Sequence, residues 1–192
     1  MEDAKLYFGL GWHHIISWYA LDHILFITAL AAVYTLKDWK KVLVLVTAFT
    51  LGHSLTLALS VYDVIRFSAK WVEFLIPCTI MITAVFNFFL KNYNKRALQL
   101  NYLFALFFGL IHGMGFANSL RFMLAHDQKI ALPLLSFNAG LEAGQIIIVT
   151  IILIISFAAL NLLKAPRKIW IWLLSLLAFI LALKMSVERW PL

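Results

Sequence analysis

Charge is scarce in this chain. Only 13% of its 192 residues are Asp, Glu, Lys or Arg, about half the share of an ordinary soluble domain. Apolar residues make up 64% and the mean hydropathy is +0.92. A water-soluble fold of this size has too little interior to hide that surface, so the bilayer must be the solvent. Cysteine is nearly absent: Cys78 lies in an apolar segment with no partner for a disulfide or a CxxC site, and reads as a small packed hydrophobe. The chain also lacks a Gly-rich phosphate loop, a nucleophile motif and HExxH, and shows no tandem repeat or low-complexity segment. Met1 to Tyr7 carries Glu2 and Asp3 where a signal peptide would be basic, and no small-residue cleavage site follows, so no cleavable signal is expected.

The 16 basic residues exceed the nine acids and give a net charge of +7. They fall in short clusters between apolar runs, which is how membrane proteins mark cytoplasmic loops and argues against a nucleic-acid partner. The punctuated runs predict an all-α polytopic membrane protein, a single integral domain over residues 1–192 embedded in lipid. Six spans are expected near 15–36, 42–62, 71–90, 101–124, 130–162 and 169–187. The fifth run exceeds one crossing, so it should tilt, extend beyond the bilayer, or break at Gly140 or Gly144. Pro77 is expected to bend the third span. Lys37, Lys40, Lys41, Lys91, Lys95, Arg96, Lys164, Arg167 and Lys168 follow alternate spans with one acid, Asp38. The seven remaining bases are dispersed among acids. The positive-inside rule then sets both termini on the outer side. Small residues recur at every fourth position in Ala105, Gly109, Gly113 and Ala117, a stripe that lets helices approach closely in lipid.

Against this background, a few ionisable residues stand inside the spans: His14, Asp22, His23, His53, His112 and Glu142. Each costs at least about 2.5 kcal/mol in hydrocarbon if charged, so each should face a partner, a cavity or an ion. Imidazole and carboxylate are also ligands for divalent transition metals, which makes these six the candidate metal ligands. On a continuous helix, Asp22 falls about 80° and His23 about 180° from His14, so a shared site needs a bend or break before Asp22. His13 reads as an interfacial side chain. Thr47, Thr50, His53 and Ser54 line one side of the second span, and Asn138, Glu142 and Gln145 form a polar face on the fifth. Thr50, Ser54, Asn138, Gln145 and Glu73 are therefore a candidate supporting shell, although the hydroxyls could simply bond back to their own helix. His126-Asp127 reads as a solvated loop pair. Two axial histidines could clamp a haem, but the nearby carboxylates favour a hard or borderline cation.

Four blocks carry a resemblance to a known family. They are His14-Ile15 leading to Leu21-Asp22-His23-Ile24-Leu25-Phe26, then Thr47 to Leu57 around Gly52-His53-Ser54, then Gly109-Leu110-Ile111-His112-Gly113-Met114-Gly115-Phe116-Ala117, and Phe137-Asn138-Ala139-Gly140-Leu141-Glu142-Ala143-Gly144-Gln145. Their order resembles the second branch of the HupE/UreJ family of bacterial membrane proteins. The resemblance implies an inner-membrane protein associated with nickel or cobalt uptake, with His14, Asp22 and His23 in the transport helix.

Three functions follow. The first is a permease passing nickel, cobalt or zinc through the His/Asp/Glu site, passively or on an ion gradient because no ATP-binding motif is present. The second is an intramembrane metal-dependent hydrolase using the same cluster. The third is a structural or accessory subunit whose polar groups satisfy one another with no cavity. A polar path to both faces favours the permease, whereas closure to water on the inner side beside a lipid groove favours the enzyme. Association into an oligomer is compatible with all three.

Overall fold

The computed structural model describes residues 2–17, 20–89, 95–123 and 130–191. Seven α-helices and no strand occur among them: α1 Glu2–Ile16, α2 Leu21–Ala31, α3 Trp39–Val61, α4 Ala69–Phe89, α5 Lys95–Met123, α6 Ala131–Phe157 and α7 Arg167–Glu188. Five stretches are long and apolar enough to cross a bilayer: Leu36–Val61, Ala69–Phe89, Gln99–Ala117, Ala131–Leu162 and Arg167–Glu188. A multi-pass membrane protein is what these lengths require, and they overlap the second to sixth expected spans with ends that differ by up to seven residues. Large apolar side chains such as Leu51, Leu55, Ile151, Leu173 and Leu177 point outward, as lipid contact demands.

The first expected span is corrected. Residues 15–36 do not form one continuous helix: α1 ends at Ile16 and α2 starts at Leu21, and the two are bent by 67°. At 1.5 Å per residue α2 is only about 16 Å long and too short to cross alone, but α1 and α2 together are long and apolar enough to cross as one broken span, which brings the count to six. Eight of its 11 residues are buried, Asp22 and His23 among them, so this short helix stands inside the bundle. Asp22 suits the start of α2, because a carboxylate is stabilised at a helix N-terminus and accepts an otherwise unpaired amide, here His23 N–H at 2.8 Å. The far end is tied down by Arg167, which donates to Val33 O at 2.9 Å. Asn87 on α4 donates to Ala29 O at 2.7 Å and to Ser175 Oγ at 3.0 Å, joining α2, α4 and α7.

Around α2 the long helices pair through small residues. Gly52 on α3 faces the Leu106 carbonyl of α5, and Gly109 on α5 faces the Phe49 carbonyl of α3, with no space for a Cβ at either position. Gly11 and Gly140 make the equivalent approach between α1 and α6. Both pairs run parallel, and close backbone approach in lipid depends on such small residues. The third pair, α4 with α7, closes the bundle around α2. α6 continues unbroken through Gly140 and Gly144 and then passes into a single π-helical turn, Ala158–Leu162. Of the three ways in which the long fifth run could be accommodated, a break at a glycine does not occur; the glycines admit α1 instead. Pro77 is buried inside α4, which continues beyond it.

Candidate metal centre

The break between α1 and α2 decides which histidines meet. His14 sits in the last turn of α1 and His23 in the first turn of α2, and their ring centroids are 4.8 Å apart. His53 from α3 lies 6.1 Å from His14 and 6.5 Å from His23, centroid to centroid. One ligand atom each from His14, His23 and His53 falls within 4.8 Å of the other two. His112 from α5 flanks His23, again at 4.8 Å between centroids. His23 is the hub. A direct meeting of His53 and His112 is not what organises the group.

Hydrogen bonds fix the tautomers. His23 Nδ1 lies 2.9 Å from Asp22 Oδ1, so Nδ1 carries the proton and Nε2 presents its lone pair. Asp22 Oδ2 accepts from Arg189 Nη1 at 3.3 Å. Thr79 donates its hydroxyl proton to Ile76 O at 2.7 Å. Its oxygen can therefore only accept the longer 3.5 Å contact from His112 Nε2, which leaves the lone pair on Nδ1. His14 Nε2, His23 Nε2, His112 Nδ1 and both nitrogens of His53 are buried without a partner. Each unmade bond costs about 1–3 kcal/mol, and concentrating five of them in one place is the signature of a ligand site.

The walls differ on the two sides. A cavity of about 320 Å³ reaches the histidines past Ser17, Ile76, Phe116, Glu73 and Arg189. Glu73 is exposed near the start of α4 and Arg189 follows the end of α7, so the cavity opens at that end of the bundle. On the opposite side Phe49 and Phe26, each 1% exposed, stand against His112 at 5.2 and 5.6 Å. Phe26 also packs on Phe49 at 5.2 Å and on Phe108 at 5.6 Å. Below them the main apolar core continues through Leu45, Val46 and Val149. His53 itself is held between the rings of Phe49 and Phe137, each 6.2 Å away.

Other expected site residues lie elsewhere. Glu142 is half-buried and accepts from Thr47 Oγ1 at 2.6 Å; it neither lines the cavity nor belongs to the converging group. Thr50 donates to Gln145 Oε1 at 2.9 Å, clasping α3 to α6. Ser54 bonds back to Thr50 O at 2.6 Å; Asn138 donates to Leu134 O at 2.9 Å, and its side chain also faces His53, with no bond of normal geometry from its Oδ1. Glu73 alone of the expected supporting shell lines the cavity. His126 and Asp127 lie outside the described residues. Sequence reasoning missed Arg189, Thr79 and the phenylalanine floor. Arg189 counted only as a dispersed terminal charge, and nothing in an apolar run distinguishes a Phe that faces a histidine.

A donor set of neutral imidazoles, one oriented by a carboxylate, suits a borderline divalent ion. Metal–nitrogen bonds of about 2.0–2.1 Å require nitrogens roughly 3.4 Å apart in a tetrahedron, so the three would draw together on loading. No curated protein and no solved structure gives a significant match to this chain. The family model described as HupE / UreJ protein matches residues 1–189, the stretch that contains every element of the histidine cluster, and the chain belongs to that family.

Proposed function

We propose that the protein is a permease for a divalent transition-metal ion and that His14, His23, His53 and His112 form its intramembrane binding site. The family points to nickel or cobalt as cargo, and the imidazole set also accepts zinc. The observation that carries the reading is the convergence of His14, His23 and His53 with buried, unpartnered nitrogens, beside a cavity that His14, His23 and His112 line. Two features support transport. A broken helix whose halves meet at the site is how many carriers bind ions at mid-depth. A cavity reaching one end, with Phe26 and Phe49 closing the other, fits one half of an alternating-access cycle. Under the positive-inside rule the open end, carrying Glu73 and Arg189, faces outward at the inner membrane and both termini lie outside.

In this reading the ion enters past Glu73, exchanges hydration water for imidazole nitrogens, and leaves inward when the phenylalanines part. Asp22 holds the His23 ring and contributes the negative charge that the neutral ligands lack. The one-sided closure also favours the second reading, an intramembrane hydrolase in which an ion on three histidines activates water in the cavity. The structural-subunit reading is disfavoured, because the polar groups neither satisfy one another nor exclude a cavity. Metal analysis of the purified protein, with uptake of nickel, cobalt and zinc into proteoliposomes, tests the proposal. Uptake that His53→Ala abolishes is expected. Bound metal without uptake, accompanied by lipid or peptide cleavage, would replace the permease with the hydrolase.

A further inference from the structure

The carboxylate beside the histidines is already shared. Asp22 Oδ1 serves His23, through the backbone N–H at 2.8 Å and Nδ1 at 2.9 Å, while Oδ2 takes Arg189 Nη1 at 3.3 Å. The Asp22 side chain is 11% exposed and that of Arg189 30%, so this pair is shielded from water more than a surface bridge. A fixed cation next to a site for divalent ions is costly to the ion unless it can leave.

The surroundings give Arg189 that freedom at its tip and deny it at its base. Its backbone N–H is bonded to Met185 O at 3.0 Å. The next residue, Trp190, packs edge-on against Phe74 at 5.1 Å, which fastens the end of α7 to the start of α4. The long side chain reaches from this anchor into the cavity. Glu73, adjacent to Phe74, is the one other carboxylate among the described residues that line the cavity.

We propose that Arg189 is a built-in surrogate cation. In the ion-free site its guanidinium neutralises Asp22; a divalent ion on the histidines takes over that charge and drives Arg189 toward the mouth, where Glu73 can receive it. On this account Arg189 is a positioning residue that keeps Asp22 compensated between transport cycles and weakens ion binding enough to permit release. The inference rests on the divalent-ion reading of the histidine cluster.

The test uses the full-length protein in lipid nanodiscs, titrated with nickel, cobalt and zinc chlorides. Arg189→Gln should tighten binding by about tenfold or more, since a competitor for a shielded carboxylate is lost, while Arg189→Lys should stay close to wild type. In an Asp22→Asn background, Arg189→Gln should change nothing further. In proteoliposomes Arg189→Gln should lower both KM and maximal uptake. A merely structural anchor would weaken binding instead. Without any variant, the ion should speed phenylglyoxal modification of Arg189, read by mass spectrometry. Unchanged or weaker binding in Arg189→Gln, a Lys variant that behaves like Gln, or modification indifferent to the ion overturns the proposal while the metal site stands. Failure of the wild-type protein to bind any of the three ions overturns both.

Discussion

The imidazoles of His14 and His23 meet at 4.8 Å, although nine positions along an unbroken helix would put them on opposite faces. The break between Ile16 and Leu21 makes the site. It turns the end of α1 and the start of α2 toward the same point, so two half-helices deliver one imidazole each to a third from α3. Each of the three should then contribute comparably to metal affinity. Structural zinc sites gain about 10–16 kcal/mol from four ligands, or roughly 3 kcal/mol per ligand. His14→Ala, His23→Ala and His53→Ala should each weaken binding by about 100-fold, measured by competition with a chromophoric chelator. A His14 variant with wild-type affinity would leave the break without a role in the site.

Asp22 should act through His23. Loss of an outer-shell carboxylate costs about 10–100-fold in metal affinity. Asp22→Asn, which keeps the shape and removes the charge, should fall in that range, between wild type and His23→Ala. Isothermal titration of the two variants places them in order. Affinity as low as that of His23→Ala would make Asp22 itself a ligand.

His53 separates a binding site from a structural network. Its ring is fully buried between Phe49 and Phe137, and neither nitrogen makes a hydrogen bond of normal geometry, with Asn138 the one polar side chain of the described residues that approaches it outside the histidines. Replacing an unsatisfied buried polar group by an apolar one of similar size recovers about 1–3 kcal/mol. His53→Leu should therefore raise the melting temperature of the metal-free protein while abolishing metal binding. A fall in melting temperature would show that the imidazole holds the bundle together.

How much of this was legible in the sequence depended on what each feature needed. The membrane class and the five continuous spans needed only the spacing of apolar runs, whereas the first span, a helix broken in two, also needed the bend. His53, His112 and Asp22-His23 stood out because each is a polar group in an apolar helix. The membership of His14 needed the break, and Ser17-Trp18-Tyr19-Ala20 holds neither proline nor glycine to announce it. Glu142 stands apart from the cluster for a different reason. Thr47 and His53 are six positions apart, about 120° around α3, and Glu142 faces the Thr47 side. The azimuth of one helix against another is set by the glycine contacts at Gly11 and Gly140, which composition does not express. Arg189 was invisible because its partner is 167 positions away.

Glu142→Gln is informative for that reason. Its carboxylate is spent on Thr47 at 2.6 Å rather than on the cluster, so the amide should keep metal affinity within about twofold while losing only a hydrogen bond worth about 1 kcal/mol. The same titration decides. A loss near 100-fold would mean that α6 rotates to bring Glu142 onto the ion during the cycle.

Access to the site should be one-sided. Ser17 lines the cavity, whereas Val46 lies in the closed core beyond Phe49. With Cys78→Ser as background, Ser17→Cys should react with a membrane-impermeant thiol reagent added to the outside of right-side-out vesicles, and Val46→Cys should not. Saturating metal should slow the reaction at position 17, because a loaded ion and the guanidinium driven toward the mouth both obstruct the path. Labelling of Ser17→Cys from the inside alone would invert the orientation given by the basic loops, and equal labelling of both positions would mean that Phe26 and Phe49 do not close the route.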